Sequence, residues 1–276
     1  MSRRIRIGAV TYLNTKPLIH QLEQLAPEAD LILELPSRLA DQLSAGKLDV
    51  ALIPIVEVFR GEGYRLLPDM AIASSGPVLS VTVFSKVPWQ QIRTLALDEG
   101  SRTSAALVQV LLKKRYHRTV ETRPFLMNQP AEECEADAVL LIGDRAMKAA
   151  LPGYQYSYDL GQEWTDWTGL PFVYAAWAVR PGVDLGNVAG ALLESKRRGI
   201  EAVAEIAWNE SQRLELDPAF CRRYLTHIIK FDLGPAEREG IRRFHSLTAE
   251  LGLAPQEVTF GDYRTNAELS ALAAAR

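Results

Sequence analysis

Two short polar clusters carry the side chains best suited to contact a ligand, each set between an apolar run and a helix-like run. Thr11-Tyr12-Leu13-Asn14-Thr15 follows Ile5, Ile7, Ala9 and Val10, and Gly100-Ser101-Arg102-Thr103-Ser104 follows the run Ile92–Leu97. Backbone amides at a helix N-terminus, flanked by hydroxyls, make an anion site that fits a carboxylate or a phosphate. The second cluster reads either as such a site or as a simple hydroxyl cap with Arg102 in solvent. Its serines and threonine exceed what one cap requires, which favours the anion. It is not a P-loop, because the GxxxxGK pattern is missing. The first cluster is a candidate ligand contact through Tyr12, Asn14 and Thr15, or a loop with a capping Asn or Thr.

Single residues add to these clusters. Gly143-Asp144 follows the apolar run Ala136–Ile142. Gly143 lets a ligand approach the backbone closely, while Asp144 reads first as a helix cap. Ser80 sits in Val78–Phe84 and on its own is an ordinary strand serine. No GxSxG elbow surrounds any serine. His20, His117, His227 and His245 fall on helical or helix-end positions, and no His/Cys/carboxylate cluster has metal spacing, so no metal or cofactor is expected. Trp164 and Trp167 read as core residues or as an aromatic wall.

The elements that must position these residues alternate along the chain. Ile5–Val10, Asp30–Leu35 and Leu48–Pro54 read as strands. Between them lie a helix with Pro17 in its first turn, carrying Leu18, Ile19, Leu22 and Leu25, and a second helix from Pro36 to Gly46. A β-α-β-α-β order implies a parallel sheet with right-handed crossovers. Asn14 and Pro54 then share the carboxyl-end rim where such sheets bind ligands. Further strands are predicted at 64–72, 78–84, 92–97, 123–126, 136–142 and 172–179, with an aromatic connection over 161–171 and helices from Leu185 onward. The layout predicts an α/β clamshell of two lobes, crossed near 80–86 and again near 172–178, with a helical tail packed on the first lobe and the ligand in the cleft. The expected division is 1–82 plus 176–276 for one lobe and 83–175 for the other.

At 276 residues the chain is long enough for two such lobes. Its net charge of -3 gives no basic footprint, so nucleic acid is not an expected partner. Cys134 and Cys221 form no CxxC pair. Met-Ser-Arg-Arg leads directly into a strand without the apolar region of a signal peptide, and no run approaches the ~18 apolar residues of a membrane helix. The expectation is a cytoplasmic protein with no membrane partner, as a monomer or homodimer.

Several stretches together resemble the chorismate dehydratase family of the futalosine route to menaquinone, within the type 2 periplasmic-binding-protein-like superfamily. They are TYLNTKP (Thr11–Pro17), DVALIP (Asp49–Pro54), LSV (Leu79–Val81), LDEGSRTS (Leu97–Ser104), ADAVLLIGDRAM (Ala136–Met147), YDLGQEW (Tyr158–Trp164) and TGLPFVYAAWA (Thr168–Ala178). They run in order through nearly the first two-thirds of the chain. The resemblance implies a hydro-lyase that removes water from chorismate, a dicarboxylate, to give 3-(1-carboxyvinyloxy)benzoate without metal or redox cofactor. It implies catalytic roles for Asn14, Ser80 and Asp144. Asn14 and Ser80 would orient the enolpyruvyl group or the leaving hydroxyl, and Asp144 would bind a hydroxyl or act as acid or base. Tyr12, Thr15, Pro54, Ser101, Arg102, Thr103, Ser104 and Gly143 would bind substrate. Two other readings share the architecture: a non-catalytic binder of small acids, and the sister 1,4-dihydroxy-6-naphthoate synthase. The synthase uses a histidine in the second lobe, where this chain has only His117.

Overall fold

The computed structural model describes residues 4–258 and 260–265; Met1–Arg3, which open the chain, and 266–276, counted in the first lobe, lie outside them. The first sheet begins with β1 (Ile5–Val10), which pairs in parallel with β2 (Ala29–Glu34) and β3 (Val50–Pro54). Every residue of β3 is buried, as its unbroken apolar run requires of a strand covered on both faces. Between β1 and β2 the single predicted helix is instead a 3-10 turn, Leu13–Ile19, followed after Gln21 by a short α1 (Leu22–Leu25). Gln21 takes a left-handed φ of 58°. The break has a tertiary cause: Ser195 Oγ donates to the carbonyls of Leu18 (3.1 Å) and His20 (2.9 Å), acceptors that a continuous helix would have used.

Between β2 and β3 runs α2 (Pro36–Ser44), and after β3 come α3 (Ile55–Arg60) and β4 (Arg65–Ser74). The chain then passes to the second sheet with β5 (Val81–Ser85), β6 (Thr94–Asp98), α4 (Arg102–Val110), β7 (Glu121–Phe125), β8 (Ala138–Ile142), α5 (Gly143–Lys148) and β9 (Tyr156–Asp159). This sheet has the order β7-β6-β8-β5-β9, with β6 parallel to its neighbours and β5 antiparallel to both of its own.

The return is through α6 (Leu160–Thr168), a helix where the sequence suggested only an aromatic connection. Its signals were present: Asp159 caps the amides of Gly161 and Gln162, and Gly169 ends it at φ 71°. The Asp159 carboxylate also accepts from Val78 (3.0 Å) and Leu79 (2.6 Å), so one side chain ties the outgoing passage to the returning one. Trp164 is fully buried in this helix and meets Phe172 and Phe244 edge-on, as a core residue.

β10 (Phe172–Val179) then enters the first sheet antiparallel between β3 and β4. The tail is helical, as predicted: α7 (Asn187–Glu201), α8 (Val203–Leu214), α9 (Pro218–Arg223) and α10 (Pro235–Glu250). A wide π-turn at Tyr224–Ile228 extends α9, closed by the Ile229 amide on the Tyr224 carbonyl, and just beyond it Lys230 bridges to Ala73 of β4. A two-residue β11 (Gly261–Asp262) completes the sheet order β11-β4-β10-β3-β1-β2. The result is a two-lobed α/β clamshell. Among the described residues no helix is long and apolar enough to cross a membrane.

A buried charge cluster pins the central strands of the first sheet at the end away from the cleft. The Asp49 carboxylate accepts the Arg6 amide (3.0 Å), the Arg6 guanidinium (3.0 and 3.1 Å) and Arg180 (3.2 Å). Burial opposes its ionisation, but these bonds prevail and hold it at about 2, below its ordinary 3.8. Its stabilising effect is therefore complete above pH 3.8 and is lost as pH falls toward 2. Asp49→Asn is expected to lower unfolding free energy at pH 7 by about 2 kcal/mol, with the deficit vanishing toward pH 2, in urea titrations at both ends. A deficit independent of pH would contradict this account.

Candidate active site

The carboxyl ends of β1 and β3 face the N-termini of α4 and α5 across a narrow cleft. Tyr12, Asn14, Pro54, Ser80, Ser101, Thr103, Ser104 and Gly143 all line it, brought together from both sheets. Helix geometry leaves the first amides of α4 without intrahelical acceptors. Ser101 supplies one cap, its Oγ accepting the Ser104 amide (3.3 Å). Thr103 Oγ1 does something the sequence could not show: it accepts the Val56 amide (3.3 Å) across the cleft, satisfying the start of α3.

Opposite α4, Asn14 and Ser80 share a partner that sequence reasoning missed. Asn14 Nδ2 donates to the Tyr224 phenol oxygen (3.1 Å), and Tyr224 donates to Ser80 Oγ (2.8 Å). All three side chains are buried, and burial raises the Tyr224 pKa well above that of a free phenol. Thr15 is fully buried behind this group; its hydroxyl meets Asn14 Oδ1 at 3.4 Å and does not line the cleft. Tyr174, buried on β10, lines the cleft and shares a hydrogen bond of 3.0 Å with Ser74 Oγ.

Arg102 and Asp144 have different surroundings from those expected of substrate contacts. The Arg102 guanidinium leaves the cleft and pairs with Asp41 (2.9 Å) and Glu57 (3.2 Å) of the first lobe. The Asp144 carboxylate accepts the Leu13 amide (3.1 Å) and lies 3.7 Å from Arg213, which in turn pairs with Glu210 at 2.7 Å. Neither side chain is among the cleft's lining. Burial raises the Asp144 pKa, with the Leu13 amide and Arg213 acting in the opposite sense. Both residues join the lobes at the rims.

Tyr12 lies between the lobes. Its ring covers Gly143, where an added Cβ would come within 2.9 Å of the ring. Beside it Asp98, buried at the end of β6, accepts the Gly100 amide (2.9 Å) and faces Arg145 at 3.9 Å. Burial pushes this carboxyl up to about 6. The cleft itself is lined by no carboxylate, histidine, lysine or arginine among the described residues. Its polar groups are hydroxyls, an amide side chain and backbone amides, which are donors suited to anionic oxygens. No group of three or more metal-ligating side chains occurs among the described residues. His117, the histidine between the crossings, is exposed and away from the cleft.

Gly143 also has φ 61°, a conformation costly for any other residue. Gly143→Ala is expected to destabilise the protein by about 1–3 kcal/mol from the backbone alone, measured by urea unfolding. Displacement of Tyr12 would show as larger overall dimensions in solution scattering. Unchanged stability and dimensions would refute the packing of Tyr12 on Gly143.

Solved structures of similar shape establish the fold. The chain superposes on the alkanesulfonate-binding protein SsuA from Xanthomonas axonopodis pv. citri with a TM-score of 0.66 at 15% identity, covering 93% of this chain and 96% of the other. A protein from Archaeoglobus fulgidus gives a TM-score of 0.70 at 18% identity, covering 91% and 99%. The clamshell is thus of the periplasmic-binding-protein type. By sequence, the chain is 32% identical to the chorismate dehydratase of Thermus thermophilus, covering 86% of this chain and 93% of that protein. It is 27% identical to the chorismate dehydratase of Campylobacter jejuni, covering 90% and 99%. The family described as menaquinone biosynthesis matches residues 5–250, so the match takes in both lobes, the cleft and Tyr224, and the chain belongs to that family.

Proposed function

We propose that this protein is a carbon–oxygen lyase that eliminates water from chorismate to give 3-(1-carboxyvinyloxy)benzoate. The observation that carries the reading is a cleft without charged side chains, walled by the α4 N-terminus on one side and the Asn14–Tyr224–Ser80 chain on the other. The family match and the names of its relatives support it. The lobes that close on the substrate divide near the two passages, close to 1–82 plus 176–276 and 83–175.

A dicarboxylate suits these walls. One carboxylate is held by the α4 amides with Ser101 and Ser104, and the enolpyruvyl group lies against Asn14 and Ser80. Pro54, Tyr12 and Gly143 enclose the ring. The reaction removes the hydrogen from the ether-bearing ring carbon and the hydroxyl from its neighbour. The C–H pair becomes the new ring double bond, the C–O bond breaks, and the departing hydroxide takes a proton to leave as water. Aromatisation drives the step. The lining provides no side-chain base, so a substrate carboxylate fills that role: removed from water and without a counter-charge, it gains proton affinity. Asp144 then acts by holding Leu13, and with it the Asn14 loop, in place of the acid, base or hydroxyl-binding role first expected of it. Arg102 holds α4 against the first lobe.

The test is to incubate the purified protein with chorismate and follow the ultraviolet change on aromatisation. Asn14→Ala and Ser80→Ala are each expected to lower kcat/KM about 10²–10³-fold, the loss typical of a donor aimed at developing charge. Near wild-type turnover in both variants would overturn the assignments. No turnover by the parent chain, with tight binding of another acid, would make it a binder instead.

A further inference from the structure

Between Asn14 and Ser80 stands a residue that neither lines the cleft nor carries charge, yet decides which way the Ser80 proton points. We propose that Tyr224 is a positioning residue: taking a proton from the Asn14 amide and giving its own to Ser80, it turns the Ser80 hydroxyl to face the cleft as a donor beside Asn14, making that wall specific for an anionic oxygen. This rests on the reading of the cleft as an acid-binding site and adds the residue that sets its polarity.

The argument is one of donor counting. An amide nitrogen can only donate, so the Asn14 Nδ2 contact at 3.1 Å consumes a lone pair of the Tyr224 oxygen. The single phenol proton is then directed to Ser80 Oγ at 2.8 Å. Ser80, having accepted, keeps its own proton for the cleft it lines, and Asn14 keeps its second N–H. Thr15 sits against Asn14 Oδ1 at 3.4 Å, which holds the amide in this orientation. Tyr224 is fully buried, and water cannot supply an alternative partner to randomise the chain. Burial also holds the phenol in its protonated form, so the direction does not reverse near neutral pH. The ring is held independently of the oxygen: it stacks on Phe220 with planes 11° apart.

The placement explains the geometry of the tail. Tyr224 is the first residue of the π-turn Tyr224–Ile228, a wide turn found often at functional sites. It brings a residue from the helical tail to contact the loop after β1 and the residue before β5, the two segments that make up this wall of the cleft.

Tyr224→Phe keeps the ring and removes the oxygen. In this variant kcat/KM for chorismate is expected to fall about 10–100-fold, whereas in a Ser80→Ala background the same change is expected to lower it less than about threefold, because Tyr224 acts through Ser80. A structural defect would instead multiply in both backgrounds. Affinity for the stable dicarboxylate meta-(carboxymethoxy)benzoate, measured by calorimetry, is expected to follow the same pattern, and its neutral diamide should lose little. Because binding needs no turnover, a parent chain that binds this probe with the expected coupling but leaves chorismate unchanged would sink only the proposed reaction. Normal turnover with multiplicative losses, or with Tyr224→Phe at wild-type rates, would overturn the positioning role. Should Tyr224→Phe not fold, Asn14→Asp serves: a carboxylate can only accept, so it draws the phenol proton away from Ser80. Wild-type probe affinity in that variant would also overturn the proposal.

Discussion

The Asp159 carboxylate is the point on which the two lobes depend. It accepts the amides of Val78 and Leu79 on the outgoing passage and those of Gly161 and Gln162 on the return. Burial pushes its pKa up, and these amides act against that shift. The arrangement holds Leu79 at a left-handed φ of 63°, a strained value for a side chain of that size. Ser80 follows directly, and its carbonyl takes the Gly143 amide at 2.8 Å. Fixing the passage therefore fixes two walls of the cleft at once, along with the start of α6.

Charge and binding are separated in this molecule. The side chains lining the cleft are neutral, while the charged ones near it span its rims: Arg102 to Asp41 and Glu57 on one side, Asp144 to Leu13 and Arg213 on the other. Ion pairs this close to solvent contribute modestly, ~0–1 kcal/mol each. Contacts of that size hold the lobes together without locking them. A cleft that must admit a dicarboxylate and release its product needs closure of that strength. Inside, neutral donors bind anions while lowering the basicity of a carboxylate less than the full charge of a lysine or arginine beside it would.

What the sequence displayed was local. Apolar runs and their terminating polar residues located β1, β3, β6 and β8, and with them Asn14, Ser101, Ser104 and Gly143 on the cleft. The capping Asp159 and terminating Gly169 of α6 were equally local but were passed over beneath an aromatic-rich composition. Other features were legible only in three dimensions. Tyr224 lies 144 residues from Ser80, and nothing in an amphipathic tail marks one tyrosine as the partner of a cleft wall. Arg102 and Asp144 had the right positions, but their roles turned on partners far away, 61 residues for Asp41 and 131 for Leu13. The 3-10 turn at Leu13–Ile19 likewise depended on Ser195 of α7.

The π-turn has a consequence for how this family can vary in length. It sets the phase between Tyr224, bonded to Asn14 and Ser80 behind the cleft wall, and Lys230, bridged to Ala73 at the sheet. Removing one residue between them would turn one end by about 100° relative to the other, at 3.6 residues per turn. Either the phenol or the strand bridge would be lost. The segment 225–229 is thus held to a constant residue count, with Leu225 and Ile229 buried in the core, so an alignment gap there would mark a relative whose cleft is organised by a different group.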